Sequence, residues 1–406
     1  MEKLQIEKLI NDCKTRLTEA FGRLDQIALH CQEKVLAAFQ GNKIALRHFN
    51  PTTGYGYDDC GRDTLKSVYA DVFGAESAVV SPNIVSGTHA IAVGLYANLL
   101  PGDNVLSITG TPYDTILDVI YGDKFSLRSS GVKFETINLI DGKFDFNAIK
   151  NYIENNRVDM IYIQRSRGYE DRESLSVYSI QEVCSFLRDN GFGGCIFCDN
   201  CYGEFVEELE PTDVGVDVAC GSLIKNVGGG IAPTGGYLVG KKQYIDNVEA
   251  RLTCPSIAGE VGSYVGGYQY FYQGLFLAPH TVNQALKCSM LIGAAMEALG
   301  YETVPKAYKM PTDITRSVKF NDESKLVDFI RSVQFVSPID SFVTPFPWDM
   351  PGYSDQVIMA AGCFVQGSSI ELSADAPIKP PYIAYIQGGL TFEHGVLALR
   401  KILETL

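Results

Sequence analysis

No apolar run in this chain approaches the roughly 20 residues that a membrane-spanning helix needs. The opening residues, Met1-Glu2-Lys3-Leu4, lack the apolar core of a secretory signal. Both absences lead to the expectation of a cytoplasmic protein with no membrane partner. Excess positive charge is missing as well: 34 Lys and Arg stand against 48 Asp and Glu, a formal net charge of −14. That balance argues against nucleic acid as a partner. The five histidines show no metal-ligand spacing. The eleven cysteines form no disulfide framework and read as reduced thiols. Cys195, Cys198 and Cys201 recur at a regular interval, but no second CxxC exists to complete a zinc or iron–sulfur site. Cys195 and Cys198 also fall in a short apolar run, where cysteine behaves as a small hydrophobe. No metal is expected. A nucleotide-type phosphate loop is absent too, since Gly235–Lys242 imitates one but carries Lys242 where Ser or Thr must hold magnesium. There is no internal repeat and no low-complexity tract.

What is present describes a folded enzyme-sized chain. Hydrophobic residues make up 46% and charged residues 20%, which excludes a disordered protein. At 406 residues one large domain plus a smaller one is expected. Residues 1 to about 40 carry helical periodicity, followed by a polar, glycine-rich loop from Phe49 to Asp59 and a further helix from Asp63 to Phe73. From there to about residue 240, short apolar runs alternate with helical stretches. The expected strands are 77–80, 104–108, 160–164, 195–198, 216–219 and 236–239. The expected helices between them include 87–98, 113–121, 146–155 and 179–190, the last opening on a Ser179–Glu182 capping box. This alternation predicts an α/β fold with a mainly parallel central sheet and helices on both faces. Residues 245–280 carry no clear pattern. A helix over 282–299 leads to a smaller C-terminal α/β domain. The resulting division is 1–62, a helical segment and loop; 63–281, a large domain; and 282–406, the smaller one.

In a sheet of this kind ligands bind beyond the carboxyl ends of the strands. Lys225 lies a few residues past one predicted strand, with Ser222 before it and Gly228-Gly229-Gly230 after it. It has the character of an amine that forms a Schiff base with pyridoxal 5'-phosphate (PLP). That chemistry needs a partly desolvated lysine of lowered pKa and a carboxylate on the ring nitrogen. Asp199, just past the preceding strand, supplies the carboxylate. Ser86-Gly87-Thr88 stands at a strand-to-helix turn, where free amides suit a phosphate, although Ser-Gly-Thr is also an ordinary helix cap. Tyr113 follows another strand and can stack on a pyridine ring, or simply pack at the strand end. Asp199-Asn200 alone also reads as a common turn. The order anion turn, aromatic, aspartate, serine and lysine is far more specific than any member.

That order resembles the fold type I PLP enzymes of the cystathionine γ-synthase and methionine γ-lyase group. More closely, Gly54–Asp59, Ser86–Ala90, Gln164–Gly168 and Gln366–Ala374 resemble the bacterial aluminium resistance protein family, described as methionine γ-lyase-like or cystathionine β-lyase-like. The resemblance runs from about residue 45 to the C-terminus. It implies that Lys225 carries the cofactor and moves the α-proton, and that Asp199 pairs with the pyridinium nitrogen. It further implies that Ser86, Gly87, Thr88 and Ser222 bind phosphate while Tyr113 stacks on the ring. Tyr55 or Tyr57 with Arg62 are implied to complete the phosphate site of a neighbouring subunit, in a homo-oligomer built as a dimer of active dimers. Two departures stand out. Ile224 occupies a position where that group often has a phosphate-binding threonine. No arginine lies in Gln366–Pro381, where the group has one that clamps the substrate carboxylate. Arg165 or Arg167 is the substitute expected here. The implied activity is elimination of a thiol from a sulfur-containing amino acid. The alternatives are another PLP reaction, such as transamination, racemisation or aldol cleavage, and a PLP-binding stress-resistance protein without turnover.

Overall fold

The computed structural model of the protein describes residues 2–350 and 353–406. The helical periodicity of residues 1 to about 40 is realised as two helices, α1 (Lys3–Arg16) and α2 (Thr18–Gly41), which meet at the buried Leu17. Helix α3 (Cys60–Val72) begins where the Asp59 side chain accepts from the Arg62 amide.

The large sheet contains β1 (Ser77–Ser81), β2 (Asn104–Ser107), β3 (Lys133–Thr136), β4 (Met160–Gln164), β5 (Cys195–Asp199), β6 (Val218–Ser222) and β7 (Gly236–Gly240). Their spatial order is β1-β7-β6-β5-β4-β2-β3. Only β7 runs against the others, pairing antiparallel with β1 and β6. Helices α4 (Gly87–Asn98), α5 (Asp114–Tyr121), α6 (Phe146–Asn155), α7 (Val177–Asp189) and α8 (Lys242–Leu252) alternate with the strands. Every residue of β4 and β5 is buried. The reason is a core on each face: Ile161, Ile163 and Ile196 join one apolar cluster, and Met160, Tyr162 and Phe197 the other. This is the mainly parallel α/β architecture expected from the alternating pattern.

Several boundaries moved. The strand expected at 216–219 is shifted toward the C-terminus as β6, which places Ser222 at its end. Strand β3 was not anticipated, because only Phe134 in it is buried. Helix α7 is capped by Ser176, whose side chain accepts from the Ser179 amide at 3.1 Å, so the predicted Ser179 box lies inside the first turn. The helix expected at 282–299 begins much earlier, as α9 (Gln269–Ala298). Pro279 lies inside it and hides its first half from a reading that stops helices at proline.

Helix α9 leads to a second, antiparallel sheet of β8 (Glu302–Val304), β9 (Thr315–Lys319), β10 (Val357–Ala360), β11 (Ser373–Pro377) and β12 (Ile383–Gln387), in the order β10-β11-β12-β9-β8. Helices α10 (Glu323–Phe335) and α11 (Phe392–Thr405) accompany it. Among the described residues no helix is long and apolar enough to cross a membrane.

Candidate active site

A cavity of about 250 Å³ opens at the carboxyl ends of β1, β2, β4, β5 and β6, and residues of the second sheet close its far side. It gathers Ser86, Gly87, Thr88, Tyr113, Asp199, Ser222 and Lys225, all expected at one site. Each follows or ends a strand of common direction, so the parallel sheet itself brings together residues far apart in sequence.

At the β1 end, Ser86 caps α4, its Oγ accepting from the His89 amide at 3.0 Å. The cap reading of Ser-Gly-Thr is therefore realised, and the Ser86 hydroxyl is engaged. Among the described residues the Gly87 and Thr88 amides have no acceptor. Gly87 packs so closely that a Cβ there would lie 3.2 Å from Cys201 Sγ and 3.4 Å from Ser222 Cβ. Among the described residues the Ser222 hydroxyl, which is buried, has no hydrogen-bond partner, and neither has that of Tyr162. The cavity thus carries free amides and orphaned hydroxyls, groups that a polar ligand would satisfy.

Tyr113 is positioned by Gln164, whose Oε1 accepts from the Tyr113 amide at 2.7 Å. Its hydroxyl bonds to that of Tyr353. On the β5 side, one oxygen of Asp199 accepts from the Cys201 amide at 3.1 Å. Burial raises the Asp199 carboxyl above its ordinary range, and nearby Lys225 pulls it back. Loss of solvent likewise pulls the Lys225 ammonium down. Cys201, Tyr202, Asp199 and Glu204 outweigh that effect and hold it above its ordinary value. The lowered lysine pKa expected from the sequence is therefore not what these neighbours produce in the absence of a covalent partner.

The family model for methionine gamma-lyase matches residues 6–406. The chain belongs to that family. The Bacillus subtilis (strain 168) protein YnbB, an uncharacterized relative, is 48% identical over 389 residues, covering 95% of this chain and 92% of YnbB. A crystal structure from Clostridium novyi NT, of a carbon–sulfur lyase involved in aluminum resistance, is 47% identical with a TM-score of 0.94, covering 98% of this chain and 95% of that one. The fold extends further: the PLP-dependent protein YhfS from Escherichia coli, only 16% identical, matches with a TM-score of 0.63 over 95% of this chain and 97% of its own. The architecture is fold type I, as the sequence implied.

Not all of the expected methionine gamma-lyase site residues meet in the cavity. Tyr55 and Tyr57 are 69% and 59% exposed on a loop outside it, their rings 5.5 Å apart. Arg62 is buried beside that loop, pairing with Asp63 at 2.8 Å and donating to the Gly56 carbonyl at 3.0 Å. Arg165 and Arg167 are also absent from the cavity lining, which corrects the carboxylate-clamp role given to them. Both are fully buried. The Arg165 guanidinium donates to Leu175 O, Asn200 Oδ1 and Glu207 Oε2. That of Arg167 donates to Ser317 Oγ, Val304 O and Thr315 O, tying the second sheet to the first. The cavity also holds residues that sequence reasoning missed, among them Tyr169, Tyr202, Asp375 and Gln387. Asp375 directly follows the family-like segment ending at Ala374, and Tyr202 lies shortly after Asp199, so proximity to the motifs was the available signal.

Proposed function

We propose that this chain is a PLP-dependent carbon–sulfur lyase that eliminates a thiol from a sulfur-containing amino acid. The observation that carries the reading is the meeting of Lys225, Asp199 and the Gly87–Ser222 cradle in one cavity. Family membership and the carbon–sulfur lyase from Clostridium novyi NT support it.

The residues present fit the cofactor. The unpaired Ser222 hydroxyl and the free amides of Gly87 and Thr88 form a phosphate cradle at the start of α4, where the helix dipole favours an anion. Tyr113 supplies a flat face for the ring. Asp199, a carboxylate withdrawn from water, favours a cationic N–H beside it and so keeps the ring nitrogen protonated. When bound, the cofactor supplies a sink for the negative charge that develops at Cα. Lys225 holds it and then acts as the base, taking the Cα proton onto Nζ. The carbon–sulfur bond breaks with its electron pair on sulfur, and the thiolate gains a proton. With uptake of water, the products are a thiol, a 2-oxo acid and ammonium.

In this reading Tyr55 or Tyr57 and Arg62 act on the phosphate of a second copy, because their loop stands outside the cavity of their own chain. Activity then depends on assembly.

The test is a panel of cystathionine, cysteine, methionine and homocysteine, scored for thiol and 2-oxo acid in equal amounts. Lys225→Ala abolishes both products and the cofactor attachment that borohydride traps. Trapped cofactor in that variant, or no thiol from any of the four with the wild type, would overturn the assignment.

A further inference from the structure

Tyr113 is anchored at its backbone, where Gln164 Oε1 accepts from its amide at 2.7 Å. One edge of its ring is confined by Gly168, since a Cβ there would lie 2.9 Å from Tyr113 Cδ2. The tip of the side chain is held from elsewhere. Among the described residues the Tyr113 hydroxyl has one hydrogen-bond partner, the hydroxyl of Tyr353. Tyr353 belongs to the connection between α10 and β10, residues 336–356, and is not one of the residues that line the cavity. Its ring meets that of Tyr113 edge-on, with centroids 6.0 Å apart and planes at 76°.

Tyr353 is itself braced by the second sheet. Its ring lies 5.7 Å from that of Tyr169. Tyr169 is fixed in turn, its hydroxyl donating to Asp375 and its carbonyl accepting from the Tyr385 hydroxyl at 2.6 Å. Two residues past Tyr353, Asp355 pairs with Lys379 at 2.6 Å, fastening the connection to the turn between β11 and β12. Burial raises the Tyr113 and Tyr353 hydroxyls above their ordinary range, so both stay protonated and share a neutral hydrogen bond.

A ring anchored only at its backbone can turn about its side-chain torsions, whereas stacking requires one placement. We propose that Tyr353 is a positioning residue that holds the Tyr113 hydroxyl, so that the second domain sets the ring facing the cofactor. The inference rests on the PLP reading of the cavity and adds to it a residue outside the lining. The cofactor is then held at full strength only while the 336–356 connection stays docked against Tyr113.

A double-mutant cycle on the full chain tests this, each variant being titrated with pyridoxal 5'-phosphate. Tyr113→Phe and Tyr353→Phe each remove one hydroxyl and keep the ring. Tyr353→Phe is expected to weaken cofactor binding about fivefold, the worth of one neutral hydrogen bond. It should also change the circular dichroism of the bound cofactor's visible band, which follows the placement of the rings around it. In the Tyr113→Phe background the same substitution should alter affinity by less than about twofold and leave the band unchanged, because the hydroxyl it held is gone. An equal loss in both backgrounds overturns the proposal, since the two hydroxyls then act independently. So do wild-type affinity and an unaltered band in Y353F. The melting temperature of the apo protein reports that each variant is folded. The lyase reading fails on a different measurement. If no sulfur-containing amino acid releases thiol while the cofactor still binds, that reading is lost, and the cycle still decides the role of Tyr353.

Discussion

The Lys225 ammonium sits 4.1 Å from the centroid of the Tyr202 ring, and Tyr202 holds that ring in place from a left-handed backbone, φ +73°. Such a conformation costs a bulky residue about 1 kcal/mol or more. Tertiary packing maintains it, and the ring's negative face then favours the charged form of the amine.

Replacing Tyr202 should therefore act on the lysine. Tyr202→Leu removes the ring's support of the ammonium, worth about 1 kcal/mol, and lowers the lysine pKa by somewhat under one unit. At a fixed pH below that pKa more of the amine is neutral. Apo protein should then take up borohydride-trappable cofactor about threefold faster or more. Tyr202→Phe keeps the ring and leaves the rate unchanged. Equal rates for the leucine variant and the wild type would show that the contact is incidental.

Ser222 gives opposite effects with and without the cofactor. Among the described residues its buried hydroxyl has no partner, so Ser222→Ala removes an unsatisfied group. Apo protein should melt at the same temperature or slightly higher, the gain being at most about 1 kcal/mol. Affinity for the cofactor should fall about tenfold, the loss of a charge-assisted hydrogen bond to phosphate. A parallel fall in apo stability and no change in cofactor affinity would place the hydroxyl outside the phosphate site.

Glu204 predicts a pH dependence. It is fully buried, accepts from the Tyr237 hydroxyl at 2.8 Å, and is pushed up to about 8 by burial from an ordinary 4.5. Between those values the folded chain binds a proton that the unfolded chain has released. The stabilisation is complete below about 4.5 and lost as pH rises through about 8. Glu204→Gln keeps an acceptor for Tyr237 and cannot titrate. Urea midpoints at about pH 5 and about pH 8 should fall more steeply for the wild type than for the glutamine variant, by more than about 1 kcal/mol in unfolding free energy. Identical slopes would mean that the carboxyl is relaxed by water or by a shift of the chain.

Lys225 and Asp199 were legible because each lies at or just past the end of an apolar strand, and a parallel sheet turns such ends toward one crevice. Asp375 was not, because its strand belongs to an antiparallel sheet whose approach depends on packing. Arg165 and Arg167 misled for a related reason. In sequence an arginine reads as available, whereas here Asn200 and Glu207 bind one and the Val304 and Thr315 carbonyls the other. Tyr202 is marked in the sequence only by its nearness to Asp199, since a positive φ at tyrosine leaves no sequence mark of its own. Pro279 shows the same limit in reverse: its local preference points to a helix end, and the burial of α9 on neighbouring residues overrides it.

Gly168 tests how tightly the Tyr113 ring is positioned. Its φ is +58°, and a Cβ at this position would come within 2.9 Å of Tyr113 Cδ2. Gly191 provides the control, with φ +81° and no atom within 4 Å of its Cβ position. Alanine at either site bears the left-handed backbone cost of about 1 kcal/mol. Only at Gly168 must the Tyr113 ring also move. Gly191→Ala should lower stability by about that amount and leave cofactor binding unchanged. Gly168→Ala should cost about 1 kcal/mol more, weaken the cofactor about tenfold and alter its absorption band, because the ring proposed to stack on it is displaced. If the two variants behave alike, the Tyr113 ring has room to shift, and its contact with the cofactor contributes little to holding it.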